Sequence, residues 1–207
     1  MELNLEYPEL ASLIEQAKTD SNVYLIGIAG IPGAGKSTLS AGYLQKLIPG
    51  STVLPMDGYH LYRKDLDENG HRFRGAAFTF DSKKFKHDLE ELKKNRCGSF
   101  PSFDHAEKDP KEDDIKIDKD VKCVIVEGLY LFLEEWGLNK LFDAKIFITC
   151  DVDVAMKRVA ERHLKCGIVD NIEDGFKRAN DNDRKNAEYI IKDSVIDDSV
   201  IVIKSDK

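Results

Sequence analysis

A chain of 207 residues, 42% of them hydrophobic, is long enough to bury one substantial core and short for two ordinary domains. Its formal net charge of -7 argues against an overall cationic surface that would grip a nucleic-acid backbone. No segment approaches the roughly 18 uninterrupted apolar residues of a membrane span, and the first 20 residues lack a secretory-signal pattern. We therefore predict one domain over residues 1–207 of a cytoplasmic protein, with neither nucleic acid nor a membrane as partner.

The first 50 residues predict a helix, a strand, a loop and a second helix. Apolar residues recur at helical spacing over 10–17, and the polar run at 19–22 predicts the end of that helix. Residues 23–28 form a short continuous apolar run, which is typical of a strand buried on both faces. A glycine-rich loop follows, and 36–47 have helical periodicity before Pro49 and Gly50.

The rest of the chain alternates between predicted strands and helices. Helices are predicted at 81–95, capped by Asp81, around 131–141, and over much of 154–189. The run 107–120 is charged and predicts a solvated segment. Short apolar runs predict further strands at 52–55, 121–126, 145–150 and 199–203. This alternation predicts a three-layer α/β fold with a mainly parallel central sheet.

A phosphate-binding loop stands between the first strand and the second helix. Residues 30–37 match G-x-x-x-x-G-K-S, whose amides surround phosphates while the lysine reaches the β and γ phosphates and the serine coordinates Mg²⁺. The strand before the motif and the helix after it favour this interpretation over an incidental glycine-rich turn. The predicted nucleotide-binding residues are Gly30, Ile31, Pro32, Gly33, Ala34, Gly35, Lys36, Ser37 and Thr38.

Two carboxylates follow predicted strands on the same sheet. Asp57 comes just after the strand at 52–55, where functional side chains of open α/β sheets lie, and it can accept a proton from an attacking hydroxyl. The alternative is a turn-forming Asp before Gly58. Glu127 ends an apolar strand, and a carboxylate there is costly unless it meets a cation such as Mg²⁺. A surface glutamate is the alternative.

Motifs that GTPases and many motor ATPases carry are missing from this chain, which narrows the class of phosphate-loop protein to which it can belong. A GTPase is expected to carry N-K-x-D, which residues 139–143 miss by one position. Many motor ATPases carry an Asp-Glu pair where this chain has Glu127-Gly128. Kinases of small molecules remain, using ATP and Mg²⁺.

The motifs together resemble the P-loop kinase group that contains uridine kinase, phosphoribulokinase and bacterial pantothenate kinase, and in particular fructose-transport-system kinases and fungal relatives. The resemblance covers about 23–191 and rests on several motifs in order: 27–38, 56–60, 74–76 with 79–81, 101–105, 126–130 and 158–163. It implies a P-loop NTPase fold, Asp57 as catalytic base, and a mobile helical lid at about 154–184. Dimers are common among similar kinases, so a homodimer is one expectation.

Further site residues are assigned on spacing and chemistry. Arg158 and Arg162 share a helix face at i, i+4, and with Lys36 and Asp57 they complete the predicted catalytic set, although a solvated basic face is the alternative. Recognition of a hydroxyl acceptor needs polar groups beside an aromatic wall. The predicted acceptor-binding residues are Tyr59, His60, Arg74, Phe103, Asp104 and His105, of which the two histidines are equally consistent with a scaffold role.

The predicted function is therefore ATP-dependent phosphorylation of a hydroxyl on a small metabolite, with a sugar, a hydroxy acid and a pantothenate-like acceptor all open. One alternative is a uridine or cytidine kinase, although uridine kinases usually carry D-S-F-Y where this chain has D-G-Y-H at 57–60. Another is a regulatory ATPase without an acceptor. A regulatory ATPase needs no base for an acceptor hydroxyl, so the presence of Asp57 argues against this alternative.

Overall fold

The computed structural model describes residues 8–19, 23–104 and 106–205. Helix α1 (Pro8–Thr19) opens the described chain, and its Leu10, Leu13, Ile14 and Ala17 are buried, as their spacing predicts. In this part of the chain no helix is both long and apolar enough to cross a membrane.

A parallel sheet of five strands forms the centre. The strands of this sheet and of a separate two-stranded hairpin, β3–β4, are in chain order β1 (Tyr24–Gly30), β2 (Thr52–Pro55), β3 (Gly98–Asp104), β4 (Asp109–Ile117), β5 (Cys123–Gly128), β6 (Ala144–Thr149) and β7 (Val200–Lys204). The sheet has the order β2-β5-β1-β6-β7, and every pairing in it is parallel. All of β1 is buried, as is β5 apart from the partly exposed Glu127. The predicted α/β fold with a mainly parallel central sheet is confirmed.

The helices follow the strands as predicted for most of the chain. Helices α2 (Lys36–Leu39) and α3 (Gln45–Leu47) are joined by a π-helical turn, Ser40–Leu44. The short α4 (Glu68–Arg72) and the long α5 (Ser82–Asn95) come next. Asp81 caps α5 as predicted, because its carboxylate accepts a hydrogen bond from the backbone N–H of Lys84 at 2.8 Å.

The prediction of a helix around 131–141 is wrong. Residues 130–133 are fully buried, and two 3₁₀ turns follow, Glu134–Trp136 and Asn139–Leu141. Gly137 lies between them with φ 61°, in the left-handed region, so a continuous α-helix cannot pass through it. The apolar residues that suggested a helix fill the core from irregular backbone instead.

The charged run at 107–120 is also more ordered than predicted. Strand β4 crosses it and pairs antiparallel with β3, with Phe100 opposite Ile115 and Gly98 opposite Ile117. Phe100 and Ile117 are buried, whereas most other side chains of β4 are exposed. This hairpin lies outside the central sheet and flanks the carboxyl end of β2, because Gly58 touches its backbone at Pro101.

Three helices occupy the region of the predicted lid. They are α6 (Val152–Lys165), α7 (Ile172–Arg178) and α8 (Arg184–Asp193), and a π-helical turn, Ala179–Asp183, joins α7 to α8. A Cβ on Gly175 would lie 2.9 Å from the carbonyl oxygen of Ala160, so α7 crosses α6 at close range. That these helices move as a lid, and that residues 1–207 are one domain, stay predictions.

Candidate active site

The sheet register brings the carboxyl ends of three strands together. Pro55 of β2 is paired with Glu127 of β5, and Glu127 is in turn paired with Ile28 of β1. Asp57 follows Pro55 by two residues, and the glycine loop begins at the end of β1. Side chains far apart in sequence therefore meet at one edge of the sheet, where open α/β folds bind ligands.

The loop at 30–37 has the conformation that its glycines were expected to allow. Gly33 has φ 79° and Gly35 has φ 100°, which L side chains rarely adopt, and Gly35 is the N-cap of α2. A Cβ on Gly33 would also lie 2.5 Å from the carbonyl oxygen of Ala155 on α6. The helix N-terminus adds unpaired N–H donors and partial positive charge, so the loop is suited to an anion.

Lys36 is the first residue of α2, at the end of this loop, and is partly buried. Its Nζ donates hydrogen bonds to the carbonyl oxygens of Gly30 and Ile31, both at 3.0 Å. Burial lowers the pKa of Lys36 to about 8, while Glu127 and Asp57 oppose that change and Arg162 adds to it. The ammonium group is therefore held among opposite charges at the point where phosphates would enter.

Glu127 accepts hydrogen bonds from two serine hydroxyl groups, one in α2 and one in the π-helical turn that follows α2. Ser37 Oγ donates to Oε1 and Ser40 Oγ donates to Oε2, each at 3.1 Å. Burial raises the pKa of Glu127, whereas Lys36 and the two hydroxyls lower it. A carboxylate beside a serine hydroxyl offers the hard oxygen ligands that Mg²⁺ prefers, so Ser37 and Glu127 fit the metal that the fold family implies.

A cavity of about 430 Å³ connects these groups. Asp57 is exposed in the 3₁₀ turn Met56–Tyr59 and lines the cavity opposite the loop. Three cationic and three acidic side chains face the same space, so opposite charges are available for phosphates and for proton or metal binding. The lining residues are Pro32, Gly33, Gly35, Lys36, Ser37, Thr38, Asp57, Glu127, Gly128, Leu129, Arg158, Arg162 and Asp183.

Arg158 and Arg162 both line the cavity but have different surroundings. Arg158 donates to the carbonyl oxygen of Ser205 at 2.7 Å, to Ser205 Oγ at 3.2 Å and to the carbonyl oxygen of Gly33 at 3.4 Å. It therefore ties α6 to the phosphate loop and to the segment after β7. Arg162 takes no part in that anchor, and its charge acts on the pKa values of Lys36, His163 and Asp183.

None of the predicted acceptor-binding residues that the structure describes is among the lining residues of the cavity, but Tyr59 lies in the turn that bears Asp57 and His60 follows it. The ring of Tyr59 is buried, and its hydroxyl donates to Asp88 at 3.0 Å. His60 Nδ1 is 2.9 Å from the carbonyl oxygen of Asp57, and the ring packs on Phe80 and Phe103 with centroids 3.9 and 4.9 Å away. The structure thus joins His60 to the Asp57 turn and directs the Tyr59 hydroxyl elsewhere.

Arg74 and Asp104 hold the neighbouring loops. Arg74 Nη2 donates to the carbonyl oxygen of Leu61 and to Asp109, both at 3.0 Å, and its guanidinium lies 6.0 Å from the Phe103 ring centroid. Asp104 accepts from the backbone N–H groups of 106 and 107 at 2.8 and 3.1 Å. His105 lies outside the described residues.

The comparison with known proteins gives this site its family. A family model described as "Phosphoribulokinase / Uridine kinase family" matches residues 25–166, which contain the loop, Asp57 and Glu127. The chain belongs to this family. It is a P-loop kinase, and kinase families of this type bind ATP and transfer phosphoryl groups.

Relatives of this kinase cover most of its length. A Schizosaccharomyces pombe protein named "Putative uridine kinase" is 36% identical over 225 residues, which cover 97% of this chain and 94% of the relative. "ATP-dependent kinase YFH7" from Kluyveromyces lactis is 31% identical over 233 residues, covering 88% of this chain and 66% of that protein. A crystal structure described as a "putative fructose transport system kinase" from Silicibacter sp. TM1040 has 27% identity and a TM-score of 0.81, covering 93% of this chain and 98% of that one. The resemblance inferred from the motifs is confirmed.

Ser40 and Asp183 were not among the site residues predicted from sequence. Ser40 is buried and completes the hydroxyl pair on Glu127, and Asp183 adds a third carboxylate to the lining of the kinase's cavity. Ser40 stands three residues after Ser37 on a helix, a spacing that places both hydroxyls on one face. Asp183 lies within the polar run at 180–186, and no motif marks it.

Proposed function

We propose that this kinase transfers the γ-phosphoryl group of ATP to a hydroxyl of a small metabolite. The observation that carries the proposal is the shared cavity, in which Asp57 faces Lys36, Ser37 and Glu127. A phosphate loop alone serves many ATPases and GTPases, but an exposed carboxylate across from it supplies a base for an acceptor hydroxyl.

The roles of the residues follow from their positions. Lys36 and the amides of the loop hold the phosphates. Asp57 takes the proton of the acceptor hydroxyl while the oxygen of that hydroxyl forms a bond to the γ-phosphorus. The bond from that phosphorus to the bridging oxygen of ADP breaks, and ADP leaves with the electron pair. Arg162 offers positive charge to the moving phosphoryl group. Ser37 and Glu127 would hold Mg²⁺, which would neutralise phosphate charge.

A second candidate is a nucleoside kinase, favoured by the name of the Schizosaccharomyces pombe relative. A regulatory ATPase is the candidate of a different class. Release of ADP separates all three. Stimulation by a nucleoside indicates a nucleoside kinase, stimulation by another metabolite indicates the kinase proposed here, and a regulatory ATPase is stimulated by no acceptor.

The test is a coupled ADP-release screen with Mg-ATP over sugars, polyols, hydroxy acids and nucleosides. We expect at least one class to stimulate ADP release and to yield a phosphorylated product by mass spectrometry. Asp57→Asn should lower stimulated turnover by a factor on the order of 100 or more while the affinity for Mg-ATP stays unchanged. Asp120→Asn, at an exposed turn, is the matched control. ADP release that no acceptor changes contradicts the proposal.

A further inference from the structure

Asp183 has no role in the proposed reaction, although it lines the cavity. It ends the π-helical turn between α7 and α8, and its side chain is 17% exposed. The Nε2 atom of His163 lies 3.7 Å from its Oδ2, which is too long for a hydrogen bond. A largely buried carboxylate is costly unless donors reach it, so a ligand in the cavity is a natural partner for this one.

Two neighbours of Asp183 tie its turn to the loop that carries Arg74, one of the predicted acceptor-binding residues. Asn182 donates to the carbonyl oxygen of Arg74 at 3.3 Å, and Asn186 donates to that of Gly75 at 3.4 Å. The Tyr130 hydroxyl donates to the same Gly75 oxygen at 2.7 Å. The turn that bears Asp183 is therefore tied to the loop at 74–75, which also packs by Arg74 against Phe103 and the hairpin.

The charges indicate which kind of group fits between Asp57 and Asp183. Burial raises the pKa of Asp183, and the positive charges of Arg162 and Arg178 oppose that rise. Arg162 also lines the cavity, so a cationic ligand group there would face its guanidinium. An anionic group would face the carboxylates of Asp57 and Asp183. A neutral hydroxyl donates to a carboxylate without either repulsion, so hydroxyl-rich parts of a ligand suit this end of the cavity.

Different elements of the fold hold Asp183 and the candidate metal ligands. Ser37 and Ser40 hold Glu127 at the start of α2, whereas Asp183 lies on the helical segment that contacts the 74–75 loop. Asp57 and Asp183 both raise the pKa of the Tyr130 hydroxyl, after the larger effect of its burial.

We propose that Asp183 binds a second hydroxyl of the acceptor, so that the kinase selects a neutral, polyhydroxylated acceptor such as a sugar or polyol. One hydroxyl is phosphorylated at Asp57 and another is held by Asp183. Asp183 is then a specificity-determining residue, and the inference rests on the kinase function proposed above.

The test compares an acceptor found in the screen with its analogues that lack one hydroxyl each. A hydrogen bond to a charged group is worth roughly 1.5–3 kcal/mol, which corresponds to a loss of about 10- to 150-fold in kcat/KM. For wild type we expect a loss of this size for one of the hydroxyls that is not phosphorylated. In Asp183→Ala the parent acceptor should lose as much, and the same analogue should react about as well as the parent.

Two controls keep the outcome specific. Asp181→Ala changes an exposed carboxylate of the same turn and should keep the wild-type ratio between parent and analogue. Mg-ATP affinity should be unchanged in Asp183→Ala. The inference is overturned if Asp183→Ala lowers kcat/KM for parent and analogues by one common factor, which would indicate that Asp183 positions Arg162. It is also overturned if Mg-ATP affinity falls, or if a monohydroxy acceptor reacts as well as its diol counterpart.

The same experiment separates the two proposals. Wild-type phosphorylation of an acceptor with no Asp183-dependent preference overturns the role of Asp183 and leaves the kinase function in place. The absence of phosphorylation with every acceptor class overturns both.

Discussion

Replacing Gly58 by alanine tests whether the Asp57 turn is held by the β3–β4 hairpin. A Cβ at this position would lie 2.2 Å from the carbonyl oxygen of Pro101 and 2.7 Å from its carbon, both of which are backbone atoms. Backbone cannot rotate away as a long side chain can. The turn and β3 must therefore separate by about 1.2 Å to convert the 2.2 Å contact into an ordinary one of 3.4 Å.

The expected cost follows from that displacement. Overpacking of this kind destabilises a protein by about 1–3 kcal/mol, and each kcal/mol lowers the Tm of a domain of this size by about 2–4 °C. Moving a catalytic group by about 1 Å can reduce turnover on the order of 100-fold. Since the phosphate loop belongs to β1 and α2, the affinity for Mg-ATP should change little.

The assays are thermal unfolding, titration of Mg-ATP and stimulated ADP release for Gly58→Ala. The matched control is Gly42→Ala, where a Cβ makes ordinary contacts with the Thr38 methyl at 3.7 Å and the Ser37 carbonyl oxygen at 4.0 Å. Alanine should be neutral or slightly stabilising there. Wild-type Tm and turnover in Gly58→Ala would refute the packing argument. An equal loss of turnover and of Mg-ATP affinity would refute the local connection to Asp57.

Three further predictions concern other cavity residues and their neighbours. Arg158→Ala should lower the Tm measurably because it removes the anchor to Ser205, whereas Arg162→Ala should keep the Tm and lower turnover; the reverse pattern contradicts this division. Lys36→Ala should weaken Mg-ATP binding and turnover together, and unchanged affinity in a titration argues against the phosphate-loop assignment. Burial, with Arg178 and Arg162, lowers the pKa of His163 from 6.5 to about 4, so the unfolded chain binds the extra proton first and stability should fall as pH drops from 6.5 to 4. His163→Gln should flatten that part of a Tm-against-pH profile.

Features that depend on neighbouring residues in the chain were predicted from sequence. The phosphate loop is contiguous, and its glycines, lysine and flanking strand and helix specify its conformation locally. The buried strands β1 and β5 were recognisable because a strand covered on both faces must be apolar throughout. The cap at Asp81 likewise involves residues three positions apart.

Predictions from local sequence patterns were wrong where contacts between residues far apart in the chain decide the structure. Apolar residues near 131–141 suggested a helix because the core needs them, but Gly137 and packing against the rest of the core favour two short turns. The charged run at 107–120 became β4 because β3 offers it backbone hydrogen bonds, which composition does not reveal.

The amino-acid sequence by itself determined the family, the phosphate loop and the strand-end carboxylates, because each is set by short spacings and by the need to bury apolar strands. Only the tertiary structure decided which side chains share one cavity. The register of β2 and β5 sets Asp57 near Glu127, and hydrogen bonds from Asn182 and Asn186 to the loop at 74–75 bring Asp183 to the same space. Those contacts span more than 70 residues of chain, and no local pattern encodes them.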